Sequence, residues 1–117
     1  MTPQTRRLSV MLMLCLPATA QARTAETGRE VALALVRLVH LQKVCPAFLA
    51  IDQGLASTMA RNLLVKGYEE FGADAFEKTV ETVSDEFRRS LAPNRDADWC
   101  ADEREFYRRK NRDGLFR

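Results

Sequence analysis

Apolar residues recur at steps of three and four through most of the chain, which is the spacing of an amphipathic α-helix. In the first such segment, Thr27 and Glu30 have the spacing of a capping box, and Pro46 interrupts the pattern. We therefore predict a first helix over 28–44 that is mostly buried. One side of this helix follows Val31, Leu35, Leu38 and Gln42 at steps of four, three and four, and Val36 and Val39 widen its apolar face.

A second segment begins at Pro46, because proline suits the first position of a helix. Lys66-Gly67 predicts the end of this helix, and residues 68–72 are expected to form a short bridge. Gly54 either weakens the helix or lets another helix approach closely. The apolar face is formed by Phe48, Ile51, Leu55, Met59 and Leu63.

The clearest amphipathic pattern predicts a third helix from about 75 to 91, which Pro93 ends. Its core face is Phe76, Val80, Val83 and Phe87. Asp98 is a candidate cap for a last helix that finishes near Gly114. The side chains on that helix include Trp99, Cys100, Glu103 and Phe106. Because no segment alternates with period two, the predicted fold class is mostly α, a small four-helix domain.

The N-terminus has the three parts of a secretory signal peptide. Arg6 and Arg7 precede an uncharged apolar run over 8–16, and Ala20-Gln21-Ala22 supplies small residues for a signal peptidase. Nine apolar residues are too few to cross a bilayer, which needs about 20. We predict a signal over 1–22 and a single helical domain over 23–117, with cleavage after Ala20 as the alternative. No transmembrane segment is expected after the signal is removed.

Signal removal would take Cys15 with it and leave Cys45 and Cys100. An even pair of cysteines in an exported chain predicts one structural disulfide. The alternatives are two free thiols, a redox pair or a metal site. Redox pairs usually have C-x-x-C spacing, and only His40 could join the cysteines in a metal site. We therefore expect a disulfide-bonded domain with no cofactor.

The 117 residues have a formal charge of +2. That excess comes from Arg6 and Arg7, because 16 basic and 16 acidic residues follow Ala22. A balanced chain lacks the basic field of a nucleic-acid-binding protein, so no nucleic-acid partner is expected. Residues 67–87 contain seven acidic residues and one lysine, whereas the end of the chain is basic. The candidate interaction surface on that basic segment is Arg104, Tyr107, Arg108, Arg109 and Lys110.

The sequence does not point to a catalytic site. The sequence contains no phosphate-binding loop, dinucleotide fingerprint or H-E-x-x-H motif. His40, the only histidine, lies between Val39 and Leu41 in the most apolar predicted helix. A serine nucleophile would have to be Ser57, Ser84 or Ser90, none of which lies in a nucleophile-elbow sequence. We therefore do not expect an enzyme.

Residues 45–52, CPAFLAID, resemble the start of the first cysteine helix in small periplasmic acid-stress chaperones. In those proteins a cysteine is followed by Phe-Leu and then by Asp, as here by Phe48, Leu49 and Asp52. The resemblance implies an exported helical protein with one disulfide to a late cysteine. The long predicted helix before Cys45 and the Trp99-Cys100 pair depart from that pattern.

Together these features predict an exported, non-catalytic helical interaction or accessory protein of the bacterial envelope. Its expected partner is another envelope protein, and the sequence does not identify a small-molecule ligand. The alternative is a periplasmic acid-stress chaperone that binds unfolded clients. At pH 2–3 most carboxylates of the acidic segment would be protonated, and the domain would become strongly positive. A small hydrolase or a membrane-surface binding protein is a further alternative.

Overall fold

The computed structural model describes residues 26–117, most of which are helical. The helices are α1 (26–44), α2 (Gln53–Phe71), α3 (Ala73–Ser90) and α4 (Asp96–Arg109). Single 3-10 turns lie at Cys45–Ala47 and Asp113–Leu115. In this part of the chain there is no β-strand, only an antiparallel bridge between Ile51 and Phe116. The mostly α, four-helix prediction is confirmed, whereas the predicted signal over 1–22 lies outside the described residues.

Helix α1 joins two hydrophobic cores. The disulfide core consists of Leu38, Leu41, Cys45, Ala56, Cys100, Tyr107 and Leu115. The α3 core consists of Val31, Ala32, Leu35, Phe76 and Val83. Because the two halves of α1 enter different cores, this helix connects the α2–α3 hairpin to the disulfide-bonded end of the molecule. Residues 26 and 27 are already helical, so α1 extends beyond its predicted start at residue 28.

Helix α2 begins and ends later than its sequence pattern predicts. After the turn at Cys45–Ala47, Asp52 caps α2 by accepting a hydrogen bond from the Leu55 backbone N–H at 3.0 Å. The helix therefore begins at Gln53 rather than at Pro46, and Phe48 lies outside it with half of its surface exposed. The first cysteine helix implied by the chaperone resemblance is accordingly a 3-10 turn followed by a loop.

Gly67 does not end α2 but lies buried inside it. A Cβ atom at this position would come within 2.3 Å of the Phe76 ring, so the glycine lets α3 pack closely against α2. The helix continues through the predicted bridge to Phe71, and Gly72 ends it with a φ of 84°. Helix α3 follows at once, and its observed bounds agree closely with the predicted ones.

The disulfide between Cys45 and Cys100 is present, as predicted. It connects the turn after α1 to α4, which begins at Asp96 rather than after the predicted cap Asp98. Helix α4 also ends earlier than predicted, at Arg109, and the chain turns back so that Leu115 enters the disulfide core. The Leu115 carbonyl accepts a hydrogen bond from the Asp52 backbone N–H at 2.8 Å. This bond holds the C-terminal segment against the start of α2.

Candidate functional site

An open groove of about 690 Å³ runs between α1, α2 and α3. We call it the α1–α3 groove. Its apolar floor is formed by Leu35, Val36 and Val39 of α1, Ala60 and Leu64 of α2, and Val80 and Phe87 of α3. The other lining residues are His40, Lys43, Arg61, Ser84 and Arg88.

The predicted core face of α3 divides between the interior and this groove. Phe76 and Val83 are buried, with 1% and 3% of their surface exposed. Val80 and Phe87 are only partly buried and line the groove. The periodicity therefore identified the apolar side of α3 correctly, but only half of that side is covered by the rest of the chain.

One end of the groove is aromatic. The His40 ring lies edge-on to the rings of Phe87 and Trp99, with centroid distances of 5.2 and 4.8 Å. Burial lowers the pKa of His40 below its usual value of 6.5, and the positive charge of Lys43 acts in the same direction. Asp96 opposes this shift. Burial dominates because the charged imidazolium would lose hydration among these rings.

The charged residues along the groove are all basic. The side chains of Lys43 and Arg61 make no hydrogen bond or ion pair within residues 26–117, while Arg88 pairs with Asp85 on its own helix. No carboxylate lines the groove, so its apolar floor is edged by two cations that have no anionic partner. The sequence patterns did not predict this arrangement. The signal available was the shared spacing of Val36, Val39, His40 and Lys43 on one side of α1.

The groove does not contain an activated nucleophile. Ser84 and His40 both line it, but no hydrogen bond joins them, and His40 Nε2 is buried without a hydrogen-bond partner. Between residues 26 and 117, no group of three His, Cys, Asp or Glu side chains could hold a metal ion. None of the helices over the same range is long and apolar enough to cross a membrane.

The basic surface predicted from the sequence lies elsewhere, at the end of α4. Tyr107 is 7% exposed and belongs to the disulfide core, and burial raises the pKa of its phenol. Arg104 and Arg109 are exposed, and Arg108 pairs with Glu105 at 3.3 Å. Lys110 places its ammonium group 4.6 Å from the centre of the Phe106 ring. The cations therefore reach solvent, and their role as an interaction surface stays a prediction.

Comparison with known proteins finds no family model, curated protein or solved structure that matches this chain.

Proposed function

We propose that this chain is an exported interaction protein that binds an amphipathic helix of a partner protein, acidic along one side, in the α1–α3 groove. The observation that supports this proposal is the apolar floor edged by Lys43 and Arg61, neither of which has an anionic partner in the described chain. An apolar groove between helices is a common seat for the apolar face of a partner helix. The two cations favour a partner with carboxylates beside that face.

The size of the groove suits this occupant. A helix about 10 Å across fills roughly 420 Å³ per turn, so a helix sunk to half its diameter displaces about 210 Å³ per turn. At that depth, a groove of about 690 Å³ accommodates about three turns. The stretch from Leu35 to Lys43 spans about 12 Å of α1, which is a little over two turns. A short amphipathic segment is therefore sufficient.

A titration with designed peptides tests this proposal. Trp99 is the only tryptophan and contacts two groove residues, so its emission reports occupancy without a label. We expect saturable changes with a peptide of about 14 residues that has leucines at helical spacing flanked by glutamates. A Leu–Lys peptide of the same pattern should bind at least about tenfold more weakly. Equal affinity for the two peptides, or no saturation with either, would contradict the proposal.

Matched variants locate the binding site. Val39 and Val65 are 39% and 45% exposed, but only Val39 lines the groove. Val39→Asp should weaken binding at least about tenfold, because its carboxylate must lose water against the apolar peptide. Val65→Asp should leave the affinity within about twofold. Equal losses in both variants would place the peptide outside the groove.

The charged edge has its own control. Arg61→Glu should weaken binding of the Leu–Glu peptide and strengthen binding of the Leu–Lys peptide, because the substitution reverses the charge beside the bound helix. Lys66→Glu makes the same net charge change on α2 outside the groove and should have little effect. If the occupant were a second copy of this chain, sedimentation would show a dimer that Arg61→Glu dissociates, and the proposal of a separate partner would fail.

Export is the other part of the proposal. It is supported by the N-terminal pattern and by a disulfide, a bond that persists in oxidising compartments. The exported protein should begin at Arg23, and intact-mass measurement should show the loss of 22 residues from the printed sequence. Recovery of the protein with residues 1–22 attached would contradict export through this signal.

A second candidate function, an acid-stress chaperone, is supported by His40. Because burial lowers its pKa, the unfolded chain binds this proton more tightly than the folded domain does. Acid therefore favours opening near the α1–α3 groove. Asp52 acts in the same direction, since the Leu55 N–H lowers the pKa of its carboxyl group. Glu103 opposes both, because burial raises its pKa and protonation removes a buried charge.

Light scattering of an unfolded client at pH 2–3 tests the chaperone candidate. The oxidised protein should suppress aggregation of the client, and His40→Leu should suppress it less. Co-aggregation with the client, or no change at several-fold excess of this protein, would contradict a chaperone function. Neither result bears on peptide binding at neutral pH, so the two candidate functions can be separated.

A further inference from the structure

The molecule has a second apolar concavity, which lies away from the α1–α3 groove. We call it the Phe106 cavity, and its volume is about 360 Å³. Leu33, Ala34 and Arg37 of α1 line this cavity. Along the helix, these positions alternate with the α1 residues that line the α1–α3 groove. Because successive residues are about 100° apart around a helix, these positions lie on the far side of α1.

The cavity has one cationic end. Arg37 and Lys110 both lie over the Phe106 ring, with their charged groups 4.1 and 4.6 Å from its centre. Arg37 is already paired with Glu103. The Nε and Nη2 atoms of Arg37 donate hydrogen bonds to the Oε1 atom of Glu103 at 3.0 and 2.5 Å. Lys110 and Arg112 make no side-chain hydrogen bond or ion pair in the described chain. These two cations are therefore available to an anion.

The rest of the cavity wall is apolar. Leu33, Met59 and Leu63 line it, and 40% of the Leu33 surface is exposed. Glu30 is the one acidic residue in the wall, and it lies seven residues before Arg37 on α1. Seven residues correspond to about 10 Å along a helix, so the carboxylate is well separated from the cationic end. The site is therefore cationic at one end and apolar along its length.

We propose that the Phe106 cavity binds a medium-chain aliphatic carboxylate, with the carboxylate at Lys110 and Arg112 and the alkyl chain against Leu33, Met59 and Leu63. Its volume of about 360 Å³ lies at the lower end of the range of small-molecule sites. A helix sunk to half its diameter displaces about 210 Å³ per turn, so this cavity accommodates fewer than two turns of a partner helix and suits a small molecule better. The proposal is independent of helix binding in the α1–α3 groove, because the two sites share no lining residue.

Calorimetric titration of the disulfide-bonded protein with sodium decanoate tests the proposal. The decanoate is kept below its micelle concentration. We expect saturable binding of one decanoate, and binding of octanoate about fifteenfold weaker, because octanoate lacks two CH₂ groups and each buried CH₂ contributes about fourfold. Decanol should also bind at least about tenfold more weakly than decanoate. Absence of saturable decanoate binding, or equal affinity for decanol, would overturn the proposal.

Two pairs of substitutions on the same basic segment distinguish the site from general attraction to positive charge. Lys110→Gln with Arg112→Gln should weaken decanoate binding at least about tenfold. Arg104→Gln with Arg109→Gln removes the same charge outside the cavity and should change the affinity less than about twofold. Equal losses in the two double variants would overturn the proposal. Leu33→Asp should abolish binding while leaving the helical circular dichroism unchanged.

Two further measurements distinguish the Phe106 cavity from the α1–α3 groove and a free carboxylate from a lipid surface. Trp99 does not line the Phe106 cavity but contacts groove residues, so its emission should stay constant during the decanoate titration. A parallel change in emission would place the ligand in the α1–α3 groove and overturn the assignment. Binding only to phosphatidylglycerol vesicles, without binding of free decanoate, would identify a lipid surface instead and would equally overturn it.

Discussion

Two ionisable residues, the partly buried His40 and the buried Glu103, respond to pH in opposite directions. His40 lies between aromatic rings and has a lowered pKa, whereas Glu103 is 4% exposed and has a pKa raised by burial. In each case burial disfavours the charged form. Acid therefore places a charge on His40 but removes one from Glu103. The contributions of His40 and Glu103 to the pH dependence of stability therefore oppose each other.

The His40 contribution can be isolated. Its folded-state pKa is below 6.5, so the contribution to stability is complete above that value and decreases as the pH falls towards the folded-state pKa. Urea unfolding at pH 7.5 and 5.5 should show a loss of stability in the wild type and a smaller loss in His40→Leu. His40 is the only histidine, so no other imidazole titrates in this interval. An identical loss in both proteins would contradict the assignment.

Replacing only one partner of the ion pair between Arg37 and Glu103 should strongly reduce the free energy of unfolding. Arg37→Met leaves the buried Glu103 carboxylate without its cation, and we expect a loss of about 3–5 kcal/mol in the free energy of unfolding. Adding Glu103→Leu should restore most of that loss, because no buried charge then remains. The single variant should become relatively more stable as the pH falls, since Glu103 is protonated. Chemical denaturation of the three proteins at pH 7 and 5 measures both effects.

At the scale of elements, the length of α2 is decided by a contact with α3. Gly67 is a typical C-terminal signal in the sequence, yet the helix continues past it because Phe76 packs on its bare backbone. Gly54, in the same helix, has only the Asp52 side chain nearby, and a Cβ atom there would lie 3.5 Å from the Asp52 Oδ1 atom. The sequence suggested that Gly54 either weakens α2 or lets another helix approach closely. The close approach occurs at Gly67 and not at Gly54.

These two glycines should respond to alanine with opposite signs. Gly67→Ala should destabilise the domain by about 1–3 kcal/mol, because a methyl group would overlap the buried Phe76 ring. Gly54→Ala should stabilise it by up to about 1 kcal/mol, since alanine loses less backbone entropy in a helix. Thermal unfolding of both variants measures the difference. A stabilising effect at Gly67 would contradict the observed packing of α2 against α3.

At the scale of the whole molecule, α1 and the disulfide connect parts that are distant in sequence. Cys45 and Cys100 are separated by 55 residues, and both are fully buried in the disulfide core. The α3 core contains no cysteine. The covalent bond therefore closes one end of the molecule directly. Helices α1 and α2 and the aromatic contact of Trp99 connect that end to the groove.

Removing the disulfide should cost about 2–5 kcal/mol, because a loop of this length restricts the unfolded chain by about 4 kcal/mol. Denaturant unfolding of the oxidised and reduced protein measures this loss. The double variant Cys45→Ala with Cys100→Ala should be destabilised similarly and should not respond to a reductant. A reductant-dependent loss in that variant would contradict the role of this bond.

The sequence by itself determined the features that depend on local chemistry. Helical periodicity predicted four helices and the apolar side of α3, because the spacing of side chains around a helix is set by the backbone. The disulfide was predicted because removal of the signal, with Cys15, would leave two cysteines and therefore one possible pairing. Helix ends were predicted less well, because Pro46 and Gly67 permit an end but do not require one.

Only the tertiary structure decided which apolar surface is covered. Phe76 and Phe87 have the same place in the periodic pattern, yet Phe76 is buried against Gly67 and Phe87 lines the α1–α3 groove. Lys43 and Arg61 belong to different helices and meet at that groove only because α1 and α2 pack side by side. The physical reason is that periodicity specifies a face of one helix, whereas a binding surface depends on the faces that neighbouring helices leave uncovered.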